Sequence, residues 1–434
     1  MNTELFGTHF AEKKERMPDI HPNLLNPDQR FIPHHDDIRR EQQRPTRGRR
    51  LGRREFVAAL GLSASILLGR DYRATAAAAI KWDNIPTSPV VHADGKITFI
   101  FPAGNFRSVV LNFSNIGPVP LRQNATGAWQ VTIGPFAPQI YSYDFSVDGV
   151  QVLDPLNPWV KKNLFFASNL VLIPGRPPEP WEETRVPHGA VTRHYYYSHI
   201  VGDNRSYYVY TPPGYHADRS TRYPTLYLLH GYSDTPNAWI QAGRANFILD
   251  NLIHTGRAKP MIIVMPNGYG DPAIVKRNGP GLSSASLWHR NLKMFEKSLL
   301  NEIAPRIATE YRVRQDRESR AIAGLSMGGG EALVTGLNHL DYFAFIGGLS
   351  AYLGNSGMNF RPFFPILSAA DNKYIRLLWI SCGRQDPLVG STNRELDRWL
   401  DHLHIKYRAV WTPGVHQWRV WRDNLVHLAP LLFT

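Results

Sequence analysis

A serine with glycine at both second neighbours, Gly324-Leu325-Ser326-Met327-Gly328, is the pattern in this chain with the clearest chemical meaning. The preceding Arg320-Ala321-Ile322-Ala323 reads as a strand, and Gly329-Gly330-Glu331-Ala332-Leu333-Val334 reads as the start of a helix. A serine at a sharp strand-to-helix turn holds a strained backbone conformation that lifts its hydroxyl clear of a sheet. Glycines on either side let neighbouring backbone approach where a Cβ would clash. The helix N-terminus behind the serine adds positive potential where an oxyanion would form. Ser326 is therefore expected to be a nucleophile toward a carbonyl carbon, against the plainer reading of a turn serine.

A hydroxyl is a weak nucleophile until a base takes its proton. In a strand–turn–helix frame of this kind the partners follow in the order Ser, Asp/Glu, His. Asp386, in Cys382-Gly383-Arg384-Gln385-Asp386-Pro387-Leu388, and His416, in Pro413-Gly414-Val415-His416-Gln417-Trp418, each follow an apolar strand. Both would lie at the carboxyl end of a sheet, where α/β sites form. Asp386 would fix the His416 tautomer, and His416 would accept the Ser326 proton and return it to the leaving group. Asp371 and Asp401 are the alternative acids. His402 and His404 are the alternative bases, although that pair reads as an exposed helix end. Two N–H donors must also face the oxyanion. Met327 follows the nucleophile, and Tyr232 lies in Leu228-Leu229-His230-Gly231-Tyr232-Ser233, where Gly231 permits a close approach. The plainer reading of His230-Gly231 is a strand end.

The elements that must position these groups alternate in type. Thr225–His230, Met261–Met265, Arg320–Leu325, Ala344–Leu349, Arg376–Cys382 and Tyr407–Trp411 are apolar runs without polar alternation, as expected of parallel strands covered on both faces. Leu292, Phe295, Leu299, Ile303 and Ile307 recur at three- and four-residue steps, which predicts one amphipathic helix; Leu396, Trp399, Leu400 and Leu403 mark another. Residues 186–434 are thus expected to form a doubly wound α/β domain.

Residues 80–175 follow a different period. Tyr141, Tyr143, Phe145 and Val147 alternate with Ser142, Asp144 and Ser146, the mark of a strand with one buried face. Asp148-Gly149 reads as a two-residue hairpin turn with positive φ at both positions. Ile97–Phe101, Ser108–Phe113 and Trp129–Ile133 are further strands, and Asp94-Gly95 another turn. Short strands over this length predict a small all-β sandwich. Trp129 and Trp159 have two readings, stacking on sugar rings or packing. Residues 176–185, with Pro177, Pro178 and Pro180, read as a stiff linker.

Residues 1–76 read as an address. Eight arginines fall between Arg39 and Arg54, followed by the apolar run Val57–Gly69 and Ala74-Thr75-Ala76. A charged region, a short apolar region and an A-x-A site predict an export signal, and Arg53-Arg54-Glu55-Phe56-Val57 resembles the twin-arginine type. The apolar run is too short for a permanent membrane span. The alternative is a disordered basic tail leading into a buried helix.

The 434-residue chain is 43% hydrophobic and 20% charged, which excludes a wholly disordered chain, a collagen and a multi-span membrane protein. A single cysteine, Cys382, excludes an intramolecular disulfide and a zinc site built on several thiolates. The net charge of +13 suits an anionic polymer or surface, or simply solubility. No basic block with interleaved aromatics marks a nucleic-acid site.

Taken together, His230-Gly231-Tyr232, Trp239, Pro266-Asn267-Gly268, Gly324–Gly329, Cys382-Gly383-x-x-Asp386 and Gly414-x-His416-x-Trp418 resemble one esterase family of α/β-hydrolases. It contains the family 1 carbohydrate esterases (feruloyl and acetylxylan esterases), the esterase D group, the enterochelin esterases and the mycolyltransferases. The resemblance covers about residues 186–434. The preceding β region, with Leu153-Asp154-Pro155-Leu156-Asn157-Pro158-Trp159, resembles the immunoglobulin-like module found before some sugar-active enzymes and related to glycogen-binding modules. The resemblance implies an α/β-hydrolase fold with a central, mostly parallel sheet. It implies Ser326, Asp386 and His416 as the triad, and Tyr232 and Met327 as oxyanion donors. It places Trp239 and Asn267 at the pocket border, with packing as the alternative reading of each. Such chemistry needs no metal or organic cofactor. The substrate class expected is an acylated carbohydrate or other small ester, with feruloyl or acetyl esters of plant polysaccharide first and a siderophore trilactone second. Acyl transfer to a sugar and a non-catalytic sugar-binding protein are the remaining readings.

Overall fold

The computed structural model describes residues 87–434 apart from Asn115; the leader expected over 1–76 lies outside the described residues. The α/β part is built on eight strands: β11 (Ala190–Ser198), β12 (Asp203–Thr211), β13 (Thr225–Leu229), β14 (Ile262–Met265), β15 (Arg320–Leu325), β16 (Phe345–Leu349), β17 (Leu377–Gly383) and β18 (Arg408–Thr412). Their order across the sheet is β11-β12-β14-β13-β15-β16-β17-β18. From β14 to β18 every pairing is parallel, whereas β12 runs antiparallel to both its neighbours. The parallel strands are apolar on both sides because both sides are covered. Tyr227, Leu229, Ile322 and Ile346 face one buried cluster, and Leu226, Leu228, Ala321 and Ala323 face the other. Full burial of a side chain such as Leu228 stabilises by roughly 1.5–3 kcal/mol.

Helices α1 (Ala238–Gln241), α2 (Ala245–His254), α3 (Ala285–Ser298), α4 (Ala304–Glu310), α5 (Met327–Asn338), α6 (Gly390–His402) and α7 (Trp418–Leu428) fill the crossovers. The helix expected through Leu292–Ile307 is one amphipathic path with a break in it. A π-turn at Leu299–Ile303 separates α3 from α4, just ahead of Pro305. Proline has no N–H to give to the carbonyl four residues back, so the ladder shifts by one residue there. The hairpin β11–β12 has no counterpart among the expected strands. Its tyrosine-rich sequence lacks a clean apolar alternation: β11 is the sheet's exposed edge, whereas β12, inside the sheet, is largely buried.

The preceding β region forms two antiparallel sheets. One contains β1 (Val90–Val91), β2 (Ile97–Phe101), β6 (Trp129–Ile133) and β5 (Arg122–Gln123). The other contains β4 (Val119–Pro120), β3 (Val109–Phe113), β7 (Gln139–Val147), β10 (Ser168–Ile173) and β9 (Val160–Lys161), with β8 (Val150–Val152) hairpinned on β7. Phe99, Leu111, Tyr143 and Phe145 lie in the core they share. At the β7–β8 turn Asp148 and Gly149 have φ of 49° and 86°, the positive values such a turn needs.

The two parts belong to one unit, Lys81–Thr434. Ile140 and Leu170 of the β region and Trp181 of the connecting segment enter the same buried cluster as Leu226 and Leu228. Residues 176–185 are therefore not a free spacer. The Glu182 carboxylate accepts from the Gly175 and Glu179 amides, and Asn251 of α2 donates to the Pro180 and Glu182 carbonyls. Trp159 packs at this junction with the Arg244 guanidinium 5.3 Å from its ring centre, and Trp129 packs on the β core. Arg422 of α7, fully buried, donates to the Gln139 side chain and to the Ile140 and Ala242 carbonyls, tying α7 to β7. No helix among the described residues is long and apolar enough to cross a membrane.

Candidate active site

Ser326 sits between β15 and α5 with φ 53° and ψ −117°, a conformation an L-residue adopts only under constraint. Backbone packing supplies that constraint. A Cβ on Gly324 would lie 2.3 Å from the Gly328 carbonyl oxygen, and one on Gly328 would lie 2.4 Å from that of His230. Any side chain at either position would push α5 off the strand ends. The turn is closed by bonds from Ser326 N–H to the Leu349 carbonyl (2.9 Å) and from the Tyr352 N–H to the Ser326 carbonyl (2.8 Å).

The loops after β17 and β18 bring Asp386 and His416 to this serine. Ser326 Oγ is 2.9 Å from His416 Nε2, and His416 Nδ1 is 2.7 Å from Asp386 Oδ2. Asp386 Oδ1 also accepts from the Leu388 and Val389 amides, at 3.0 and 3.1 Å. Burial would push the Asp386 carboxyl up. The hydrogen bond and charge of His416, with the two amides, outweigh it and hold the group below its ordinary value of 3.8. An ionised Asp386 can only accept, so Nδ1 carries the imidazole proton and Nε2 is left to accept from the serine hydroxyl. The His416 ring stands edge-on to Trp421 of α7 at 4.9 Å.

The backbone after β13 passes on the other side of the serine. A Cβ on Gly231 would lie 3.4 Å from Ser326 Cβ, so the Gly231-Tyr232 peptide runs directly beside the nucleophile. Neither the Tyr232 N–H nor the Met327 N–H has an acceptor among the described residues. His230 is wholly buried. Its Nε2 accepts from the Gly268 N–H (3.1 Å) and its Nδ1 donates to the Gly231 carbonyl (2.9 Å), so it joins the ends of β13 and β14. Desolvation lowers its pKa and keeps it neutral for that task.

Other expected positions fall elsewhere. Trp239 is fully buried, donates its indole N–H to the Leu229 carbonyl at 2.9 Å and packs on Trp418. It supports the β13 end from behind and does not border an open pocket, because the apolar face of α1 must be covered. Asn267 lies in the loop after β14 and turns its carbonyl back onto the Tyr269 N–H. Asp371 caps a short 3-10 turn, Asp401 and His402 are exposed on α6, and His404 lies just beyond it with φ 53°. None of these four bonds to Ser326, Asp386 or His416 among the described residues.

Three groups near the site were not anticipated. Glu331, on α5, is fully buried; its Oε1 accepts from Asn291 at 2.8 Å, and its Oε2 has no partner among the described residues. Burial raises its pKa well above 4.5, more than Asn291 and the Arg205 charge lower it. An ionisable residue in a run of Gly, Ala, Leu and Val was the signal for it. Cys382 points its thiol at Asp386 Oδ2 (3.7 Å), and burial followed by the Asp386 charge pushes that thiol up to about 12. Tyr232, Leu282 and Tyr352 are each half-buried; the Tyr232 hydroxyl lies against Gly281, and the Tyr352 hydroxyl donates to the Leu282 carbonyl at 2.8 Å. Leu282 comes from the segment between Gly268 and α3, which carries no motif or clear periodicity in the sequence. A cleft of about 320 Å³, lined by Ser142 and Asn163 of the β region and by Tyr232, His416 and Arg419, opens beside the triad.

Residues 198–432 match the Esterase family profile, described as "Putative esterase". An endo-1,4-beta-xylanase/feruloyl esterase of Xylanibacter ruminicola is 29% identical over 357 residues, 80% of this chain and 46% of that protein. An esterase of Mycobacterium tuberculosis is 29% identical over 149 residues, 33% of this chain and 28% of that one. The chain spans less than half the length of these curated relatives. Among solved structures, the enterobactin esterase of Shigella flexneri shares the fold at TM-score 0.56 and 18% identity, over 78% of this chain and 92% of that one. A ferulic acid esterase of Anaeromyces mucronatus does so at TM-score 0.51 and 24% identity, over 59% of this chain and 96% of that one. With the profile covering more than half of its length, this chain belongs to the Esterase family.

Proposed function

We propose that this protein is an exported serine esterase that hydrolyses feruloyl or acetyl esters of plant polysaccharide or its oligomers. The observation that carries the reading is the unbroken hydrogen-bond path from Ser326 Oγ through His416 to Asp386, beside two N–H groups without acceptors among the described residues. Ser326 attacks the ester carbonyl while His416 Nε2 takes its proton, and Asp386 stabilises the imidazolium. The Tyr232 and Met327 N–H groups receive the oxyanion, each worth roughly 3 kcal/mol in such sites. His416 then hands the proton to the departing alcohol, and water activated by the same ring releases the acid. The half-buried ring of Tyr232 suits an aromatic acyl group, and Ser142, Asn163 and Arg419 in the cleft beside His416 suit a sugar alcohol. The name of the Xylanibacter ruminicola relative supports the same choice. Export rests on the leader sequence alone.

A siderophore trilactone esterase is the second reading. It is favoured by Arg419 beside His416 and by the net charge of +13, which suit an anionic catecholate. A panel of methyl ferulate, acetylated xylan oligomers and a catecholate trilactone separates the two. Rapid turnover of the trilactone with inert xylan esters would replace the first reading by the second. Ser326→Ala should lower kcat on the best of these about a million-fold; unchanged turnover removes Ser326 from the mechanism.

A further inference from the structure

The turn that carries the Tyr232 N–H is held from both the α/β domain and the β region. Asp234 N–H bonds back to the Gly231 carbonyl at 3.2 Å, closing a four-residue turn. Ser233 has φ 63°, a value that favours glycine. A serine there tends to relax toward negative φ, which would rotate the neighbouring peptide and re-aim the Tyr232 N–H. Inside the α/β domain the Tyr269 hydroxyl opposes this, donating to the Asp234 carbonyl at 2.6 Å, and His230 Nδ1 holds the Gly231 carbonyl at 2.9 Å.

The remaining contacts come from the β region, through the end of β9 and the loop between β9 and β10. Lys161 Nζ lies 2.5 Å from Asp234 Oδ1, with side-chain exposures of 12% and 6%. Asn163 Nδ2 donates to the same oxygen at 3.0 Å and to Ser233 Oγ at 2.9 Å. The Leu164 N–H donates to the Ser233 carbonyl at 2.7 Å. Asn163 Oδ1 in turn accepts from the Phe165 and Phe166 amides, which fixes the donor's direction. The base of this loop is itself rigid. Asn169 Nδ2 donates to the Asn157 carbonyl, Asn157 to the Leu170 carbonyl, and the Asp154 N–H to Asn169 Oδ1, all of them buried.

We infer that Lys161 and Asn163 of the β region are positioning residues for the oxyanion site: they clamp Ser233 and Asp234 so that the Tyr232 N–H faces the carbonyl oxygen bound at Ser326. The inference rests on the esterase reading above. Removing the Lys161 cation leaves the buried Asp234 carboxylate without its partner, which draws in water and opens the turn. An oxyanion donor works only within a few tenths of an ångström of its aim, so the cost falls on the transition state more than on substrate binding.

The full-length protein and its Lys161→Met, Lys161→Arg, Asn163→Ala and Lys161→Met/Asp234→Asn variants are compared on 4-nitrophenyl acetate and methyl ferulate. Lys161→Met should lower kcat about ten- to a hundredfold with KM within about threefold. Affinity for an aryl boronic acid, which forms a tetrahedral adduct on the serine, should fall in parallel with kcat. Lys161→Arg should recover most of the loss, and Asn163→Ala should show the same split more weakly. The double variant, which removes both charges, should lose less than Lys161→Met alone. If Lys161→Met does not fold, Asn163→Ala and Lys161→Arg carry the test. A folded variant with unchanged kcat and boronate affinity, or with KM as the main change, overturns the clamp while leaving the esterase reading intact. A wild-type protein that neither hydrolyses these esters nor is labelled at Ser326 by a phosphonate overturns both.

Discussion

Two carboxyl groups are buried close to Ser326, and the protein holds them in opposite states. Asp386, in the loop after β17, receives two backbone amides and the His416 N–H, and its pKa lies below the ordinary value. Glu331, in the second turn of α5, receives one amide from Asn291 and its pKa is raised well above 4.5. Burial pushes both upward; the number of donors aimed at each decides the outcome. The result suits each location. A charge at Asp386 supports an imidazolium, whereas a charge at Glu331 would oppose an oxyanion near the N-terminus of the same helix.

The largest expected effect tests the charged member. Asp386→Asn keeps the shape but allows the wrong His416 tautomer, and kcat should fall about ten-thousandfold with Tm changed little. A loss under tenfold would mean that His416 is oriented by something else.

Glu331→Gln should leave kcat within a few-fold and raise Tm by a few degrees at pH 8. The sign follows from linkage. A raised folded pKa means that the unfolded chain sheds its proton first. The stability Glu331 contributes is thus complete below about pH 4.5 and is lost as pH rises toward the folded value. For Asp386 the depressed value places its contribution above 3.8, lost as pH falls through the folded value. Melting curves of wild type and Glu331→Gln should therefore converge near pH 4 and separate steadily up to pH 8. A parallel offset at all pH values would show that Glu331 is not neutral in the fold.

Cys382 gives the smallest signal. With its thiol pushed up to about 12, the native protein should resist iodoacetamide at pH 8. Asp386→Asn should speed labelling only modestly, because burial, not the Asp386 charge, is the larger cause. Rapid labelling of the wild type would point to an opening of the loop after β17.

The amino-acid sequence by itself placed the strand–serine–helix turn and the apolar strands that lead to Asp386 and His416. Those features depend on local order: glycines where backbones must touch, and apolar runs where both faces are covered. It also carried the alternation of β7 and the positive-φ turn at Asp148-Gly149, because strand period and turn chemistry are written in neighbouring residues. Tertiary structure decided the rest. Trp239, an aromatic that follows the His230-Gly231-Tyr232 turn, is a packing residue because α1 turns it inward under Trp418. The proline-rich segment 176–185 is pinned because Trp181 and Glu182 find partners far along the chain. Lys161 and Asp234, more than seventy residues apart, carry no mutual mark in the sequence. A lysine and an aspartate on two loops look solvated until folding removes the water between them, and only then does their pairing hold the turn beside Ser326.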